Sequence, residues 1–212
     1  MKWIWYILTL IIIYFICSAR GCTDDEEFAA AREEQYIISI KETVKNVFMS
    51  DSLPDHLLKA YEKTAAEKLN DFAEYLKIVS DTSIEFKFRQ HALEMAENSF
   101  IGGEIEFRDW NRDYPHAGLS KPGFSGSDLL AEGLSCWAKP EQINIRTPYS
   151  RTNDSTYTGS LSYYQKWISF SAPDQQVKLS GPVIIDIHLI RTLKPFGEQQ
   201  LKVWDVHLGD IE

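Results

Sequence analysis

Cysteine is scarce in this chain. Cys17 lies in an apolar run, Cys22 follows closely, and Cys136 is the only other one. A disulfide inside the region after Cys22 is therefore excluded. No Cys/His spacing suits zinc, so neither a metal nor a cofactor is expected. Cys136, beside Trp137 and without a neighbouring histidine, reads as a small buried hydrophobe rather than a nucleophile. Also missing are a glycine-rich phosphate loop, a nucleophile elbow and a metalloprotease helix. No catalytic residue can be assigned from motifs. There is no basic stripe, and the net charge is −9. That balance argues against nucleic acid or an anionic membrane surface as a direct partner. Internal repeats and low-complexity segments are absent too.

What is present suits one folded domain. The chain has 212 residues and 13% aromatics, enough length for a full core and too many rings for a disordered tail. The most informative stretch is residues 1–27, MKWIWYILTLIIIYFICSARGCTDDEE. Lys2 precedes an apolar run from Trp3 to Cys17, which as a helix would span about 22 Å. A hydrocarbon core is about 30 Å thick, so this run is short for a spanning helix. A basic start, an apolar segment and small residues before a cysteine fit an export signal better.

The run Ser18-Ala19-Arg20-Gly21-Cys22 resembles a bacterial lipoprotein signal, with Ala19 where leucine is usual and Arg20 as an added charge. The acidic cluster Thr23-Asp24-Asp25-Glu26-Glu27 is similar to the export signal of Bacteroidota-type lipoproteins. The resemblance implies lipidation at Cys22 and a place on the outer membrane surface or in the periplasm. An uncleaved helical anchor is the alternative, and the acids then simply favour a helix start. Either way Lys2 favours a cytoplasmic N-terminus, so the domain lies outside the cytoplasm, tethered to a membrane. The expected division is 1–21 signal peptide or anchor, 22–34 tether and start of the first helix, and 35–212 a single α+β domain.

Three helices come next. Ile37, Ile40, Val44, Val47 and Phe48 recur at helical spacing between Asp24 and Ser50. A second helix is capped by Asp51 or Ser52, has Pro54 in its first turn, and carries Leu58, Tyr61, Ala65, Leu69, Phe72, Leu76 and Val79 on one side to about Ser80. Asp81-Thr82-Ser83 caps a third, where Ile84, Phe88, Ala92, Met95 and Phe100 share a face and Gly102-Gly103 ends it. Ile105–Phe107 alternates like a short strand, residues 108–127 are loop-like, and Ser127-Asp128 opens a short helix to about Leu134. Four strands are expected over Gln142–Thr147, Tyr157–Ser171, Lys178–Leu193 and Gln200–Ile211.

Helices followed by consecutive strands predict an α+β fold, with the N-terminal helices packed on a curved antiparallel sheet. This element order resembles the nuclear-transport-factor-2-like or cystatin-like plan, a cone with a pocket. A helical hairpin on an ordinary meander is the other arrangement.

The last two strands allow a register to be predicted. Val183, Ile185, Ile187 and Leu189 are odd-numbered, whereas Trp204, Val206 and Leu208 are even. Opposed residues share a face, so burying both rows together needs odd residue-number sums. A four-residue loop, Pro195 to Glu198, would set Ile187 opposite Val206, His188 opposite Asp205 and Asp186 opposite His207. A three-residue loop with a glycine bulge would give even sums and split the apolar rows. The two His–Asp pairs invite a catalytic reading; cross-strand charge pairing on the solvated face is the other.

One loop gathers possible ligand-binding side chains: Trp110, Arg112, Asp113, Tyr114 and His116. Exposed rings flanked by charged groups could stack on a sugar, or the same rings could fold back over the core edge. Tyr163, Tyr164 and Trp167 read as sheet packing. The expectation is a membrane-anchored lipoprotein that binds an unknown protein or small ligand without catalysis. A surface glycan-binding accessory protein, or a small-molecule enzyme of the cone-shaped fold, are the alternatives.

Overall fold

The structure, a computed structural model, describes residues 32, 33, 35–39, 52–103, 110, 112–114, 125–197 and 199–212. The chain divides into two compact units, Met1–Ser50 and Asp51–Glu212. In the first, residues 32, 33 and 35–39 are helical, within the helix expected over Asp24–Ser50.

The second unit opens with helix α1, Asp55–Ser80. Its buried face is Ala65, Leu69, Phe72, Ala73, Leu76 and Val79, the stripe read from the sequence, with Leu58 and Tyr61 packed at its margin. No side chain caps its start; Pro54 stands at the N-cap in extended conformation, and its carbonyl accepts from Leu57 and Leu58. Asp81 does not cap the next helix. Its carboxylate turns the chain locally by accepting from the Ser83 N–H (2.9 Å) and hydroxyl (2.6 Å).

Helix α2, Phe86–Glu97, buries a different face from the one expected. Arg89, Ala92, Leu93 and Ala96 point inward, whereas Phe88 is 67% and Met95 37% exposed. The rotation follows from Arg89. Its Nε donates to the Val79 carbonyl (2.8 Å) and an Nη to that of Leu130 (2.6 Å), so one cation serves the last turns of α1 and α3. The helix also ends earlier than Gly102-Gly103, which instead form a short 3-10 turn, Ile101–Gly103. Before that turn the chain joins the sheet edge: Ser99 O accepts from Leu208 N (2.8 Å) and Phe100 bridges to Leu208. The expected strand Ile105–Phe107 lies outside the described residues. Helix α3, Gly126–Glu132, starts two residues earlier than Ser127-Asp128 suggested, because Ser125 and Asp128 form a capping box.

The sheet is an antiparallel meander in the order β1-β2-β3-β4: β1 Cys136–Asn153, β2 Thr156–Ser169, β3 Gln176–Phe196 and β4 Gln199–Ile211. With the helices packed against it, the fold is α+β. β1 is longer than its expected Gln142–Thr147, for it runs through Pro140 and Pro148 with several register shifts. An edge strand tolerates such prolines, since one side of its backbone needs no ladder partner. α1 lies against both edge strands, β1 and β4, so the sheet curls around it.

The β3–β4 register keeps the predicted parity but not the predicted partners. Ile187 faces Leu208, Leu189 faces Val206, and His188 faces His207; Asp205 is opposite Ile190. The ladder continues through Pro195 opposite Gln200 to Phe196 opposite Gln199, and Gly197 follows at φ 62°. Proline was expected in the loop because it cannot donate. Yet the Arg191 N–H points to Ser155 O on the β2 side (2.9 Å), and alternate residues point alike. Pro195 thus forfeits no bond to β4. Nearer the C-terminus an extra residue bulges out of β4, leaving Ile185 opposite Ile211.

Rings fill the space between α1 and the sheet. Phe72 meets Phe100 and Trp110 edge-on, each at 4.8 Å, and Trp110 stacks on Tyr163 at 5.9 Å. Beside them, a void of about 10 Å³ lined by Trp110, Trp137 and Trp167 holds one water at most.

Candidate functional site

Two rings of the loop expected to bind a ligand, Trp110 and Tyr114, pack on the core. Trp110 is only 2% exposed, and its carbonyl accepts from the buried Gln165 side chain (3.1 Å). Tyr114 packs edge-on against Trp167 (5.2 Å), and its hydroxyl accepts from the Ser135 N–H (3.1 Å). Asp113 is paired with Lys178 (3.5 Å), and Arg112 is exposed. His116 and Cys22 lie outside the described residues. Of the alternatives for this loop, the described aromatics take the one that covers the core edge. Cys136 is buried and free, and Tyr163 and Trp167 are fully buried in the sheet.

The hairpin histidines form an edge cluster without the two expected cross-strand His–Asp pairs. Asp205 pairs with Lys194 (2.7 Å) and, along its own strand, with His207 Nε2 (3.6 Å). Lys68 reaches round from α1 and donates to the Val206 carbonyl on the open edge of β4. His188 lies over Gly209, where a Cβ would come within 2.5 Å of its Nε2. Burial and the nearby Lys68 push the His207 pKa down against the pull of Asp205. Burial likewise lowers that of His188, against Asp186 and Asp210. A histidine whose folded pKa is depressed binds fewer protons folded than unfolded, so its contribution is complete above about pH 6.5 and is lost as pH falls below that. Urea midpoints are therefore expected to drop between pH 7.5 and 5.5, and His188→Gln/His207→Gln together to flatten that slope. An unchanged slope would show that other groups set it.

A cleft of about 540 Å³ opens where the sheet narrows from four strands to two. The β1–β2 hairpin turns at Asp154 and Ser155, level with Arg191, while β3 and β4 continue past it. On one wall stand Arg151, Asp154 and Ser155; on the other, Arg191, Thr192, Leu193 and Lys202. Its charged lining residues are Arg151, Arg191, Lys202 and Asp154. Arg151 is held by Asp154 (2.9 Å) and the Asn153 carbonyl (3.1 Å), and the Arg191 guanidinium lies 5.9 Å from the Trp204 ring centre.

The sequence reading overlooked these residues, although a signal was there. Arg191 and Leu193 continue the inward odd row of β3, and Lys202 continues the inward even row of β4. A cation where a buried row runs on marks the point at which the core ends and a wet concavity starts.

The fold and cleft define an α+β domain: a curled four-stranded meander around a helix, with a cleft at its narrow end. Comparison with protein-family models, with curated proteins and with solved structures returned no match. Among the described residues, no helix is long and apolar enough to cross a membrane, and no group of three or more His, Cys, Asp or Glu is placed to hold a metal.

Proposed function

We propose that this chain is a membrane-tethered extracytoplasmic protein, lipidated at Cys22, whose α+β domain binds a ligand without transforming it. The observation that carries the binding half is the cleft of about 540 Å³ at the narrow end of the sheet, within the usual size of ligand sites. Enzymes of the cone-shaped plan work from an interior pocket with a carboxyl beside a tyrosine. Here Phe72, Trp110, Tyr163 and Trp167 fill the corresponding interior, and Asp186, whose pKa burial raises, is half-buried on the sheet face opposite the core. The tether half rests on residues 1–27, with their apolar run, Cys22 and the acidic cluster.

Cys22→Ser is expected to block lipidation and processing, leaving the protein at precursor mass. A variant that still fractionates with membranes at the wild-type mature mass overturns lipidation, and the apolar helix is then the anchor.

A further inference from the structure

We propose that the exposed face of α2 docks a second copy of this chain, the two α2 helices lying antiparallel across a twofold axis. Arg89, Ala92, Leu93 and Ala96 take the buried side of α2, which leaves Phe88 and Met95 exposed with His91 between them. Ile84, partly buried, stands just ahead of the helix. The steps from Ile84 to Met95 are four, three and four residues, the spacing by which two helices mesh along a narrow seam.

The charges beside that seam are self-complementary. Lys87 and Glu94 stand about two turns apart on one flank, each one residue ahead of Phe88 or Met95. In an antiparallel pair this flank meets the same flank of the second copy. Three registers bring the seams together, with Phe88 level with Ile84, His91 or Asn98 of the second copy. The first sets Lys87 against its own counterpart, and the third sets Glu94 against its own. Only the second pairs Lys87 with Glu94, and the twofold makes that contact twice. The same register lays Phe88 on His91 and Met95 on Ile84. Lys87 makes no ion pair among the described residues, and Glu94 is met by the exposed His91 at 3.6 Å. The acids Glu85, Glu94 and Glu97 on this helix oppose an anionic bilayer as the occupant.

A helix of 12 residues is about 18 Å long, so this face alone falls short of the roughly 800 Å² per partner of a stable complex. The dimer is therefore weak in dilute solution. Copies held in one membrane have a raised effective concentration, which favours it. That enhancement rests on the proposed tether, whereas the interface itself does not.

Sedimentation equilibrium of the full chain in density-matched, uncharged maltoside micelles, with micelles in excess, measures the association. A monomer–dimer equilibrium is expected below about 1 mM. Phe88→Ser should weaken it at least about tenfold. Phe86→Ser should not, although Phe86 is 57% exposed against 67% for Phe88, because it lies off the seam. Lys87→Glu and Glu94→Lys should each weaken association, and an equimolar mixture of the two should restore it, since both contacts between copies are then opposite in sign. All four positions are exposed, so the fold survives each change. Association through the apolar run at residues 3–17 would be indifferent to every one of them. A wild type that stays monomeric, equal effects of Phe86→Ser and Phe88→Ser, or a mixture no better associated than its components overturns the interface.

Discussion

Trp110→Ala is expected to cost about 3–5 kcal/mol of stability, the usual range for deleting a fully buried aromatic. That is a large part of the roughly 5–15 kcal/mol that holds a domain together. The ring lies edge-on to Phe72 and stacked on Tyr163, so its loss opens a cavity between α1 and β2 rather than uncovering a surface. The Trp110 carbonyl also anchors the buried Gln165 amide, a bond that survives only if the segment stays docked without its ring. Chemical denaturation of wild type and variant measures the difference, and Trp110→Phe should recover most of it. A loss below about 1 kcal/mol would mean that the ring packs poorly and could be offered to a ligand. For the same reason, sugar binding that disappears with Trp110→Ala would not identify a sugar site, because the variant loses stability at the same time. Arg112, exposed in the same loop, is the position at which a sugar contact can be tested without unfolding the domain.

Arg89→Met is expected to destabilise by about 2–4 kcal/mol despite replacing a cation with an apolar side chain of similar length. The guanidinium is buried among carbonyls that end two helices: Val79 in α1, and Leu129 (3.5 Å) and Leu130 in α3. The Val79 and Leu130 carbonyls have no intrahelical partner, whereas Leu129 O also accepts from the Gly133 N–H (2.9 Å), and all three lie at the negative ends of the helix dipoles. Methionine fills the volume but leaves the Val79 and Leu130 acceptors unserved. Arg89→Lys keeps a charge, yet one ammonium cannot span acceptors on both helices, so only partial recovery is expected. The comparison of Met with Lys at this site reads out how much of the loss is hydrogen bonding. Equal stability of Arg89→Met and wild type would show that water reaches these carbonyls.

Patterns confined to one element were legible in advance. The α1 stripe from Leu58 to Val79 and the parity of the last two strands both follow from side-chain period, a property of the chain itself. Misreadings came where a distant partner intervened. Ile84, Phe88 and Met95 have helical spacing as good as that of the buried face of α2, and the sequence cannot tell which side meets the core. Arg89 decides it, by finding acceptors in two other helices. Proline at 195 signals a loop by rule, yet it continues the strand because its missing N–H points away from β4.

The candidate site was legible only in part. The loop at Trp110–Tyr114 drew attention by composition, since it mixes rings and charges, but composition does not say whether a ring faces water or Phe72. The cleft joins residues 151–155 to 191–202, on two hairpins of unequal length, and that inequality exists only once β2 is in register with β3.

By itself, then, the sequence determined the α+β class, the order of the described helices and strands, and the inward rows of the sheet. These depend on period, turn chemistry and local composition, which neighbouring residues supply. Tertiary structure alone decided which face of α2 is buried, that Trp110 serves the core, and that Arg151, Arg191 and Lys202 meet around one cleft. Those outcomes depend on which carbonyls, rings and charges are brought together from far along the chain, and no local pattern encodes such a meeting.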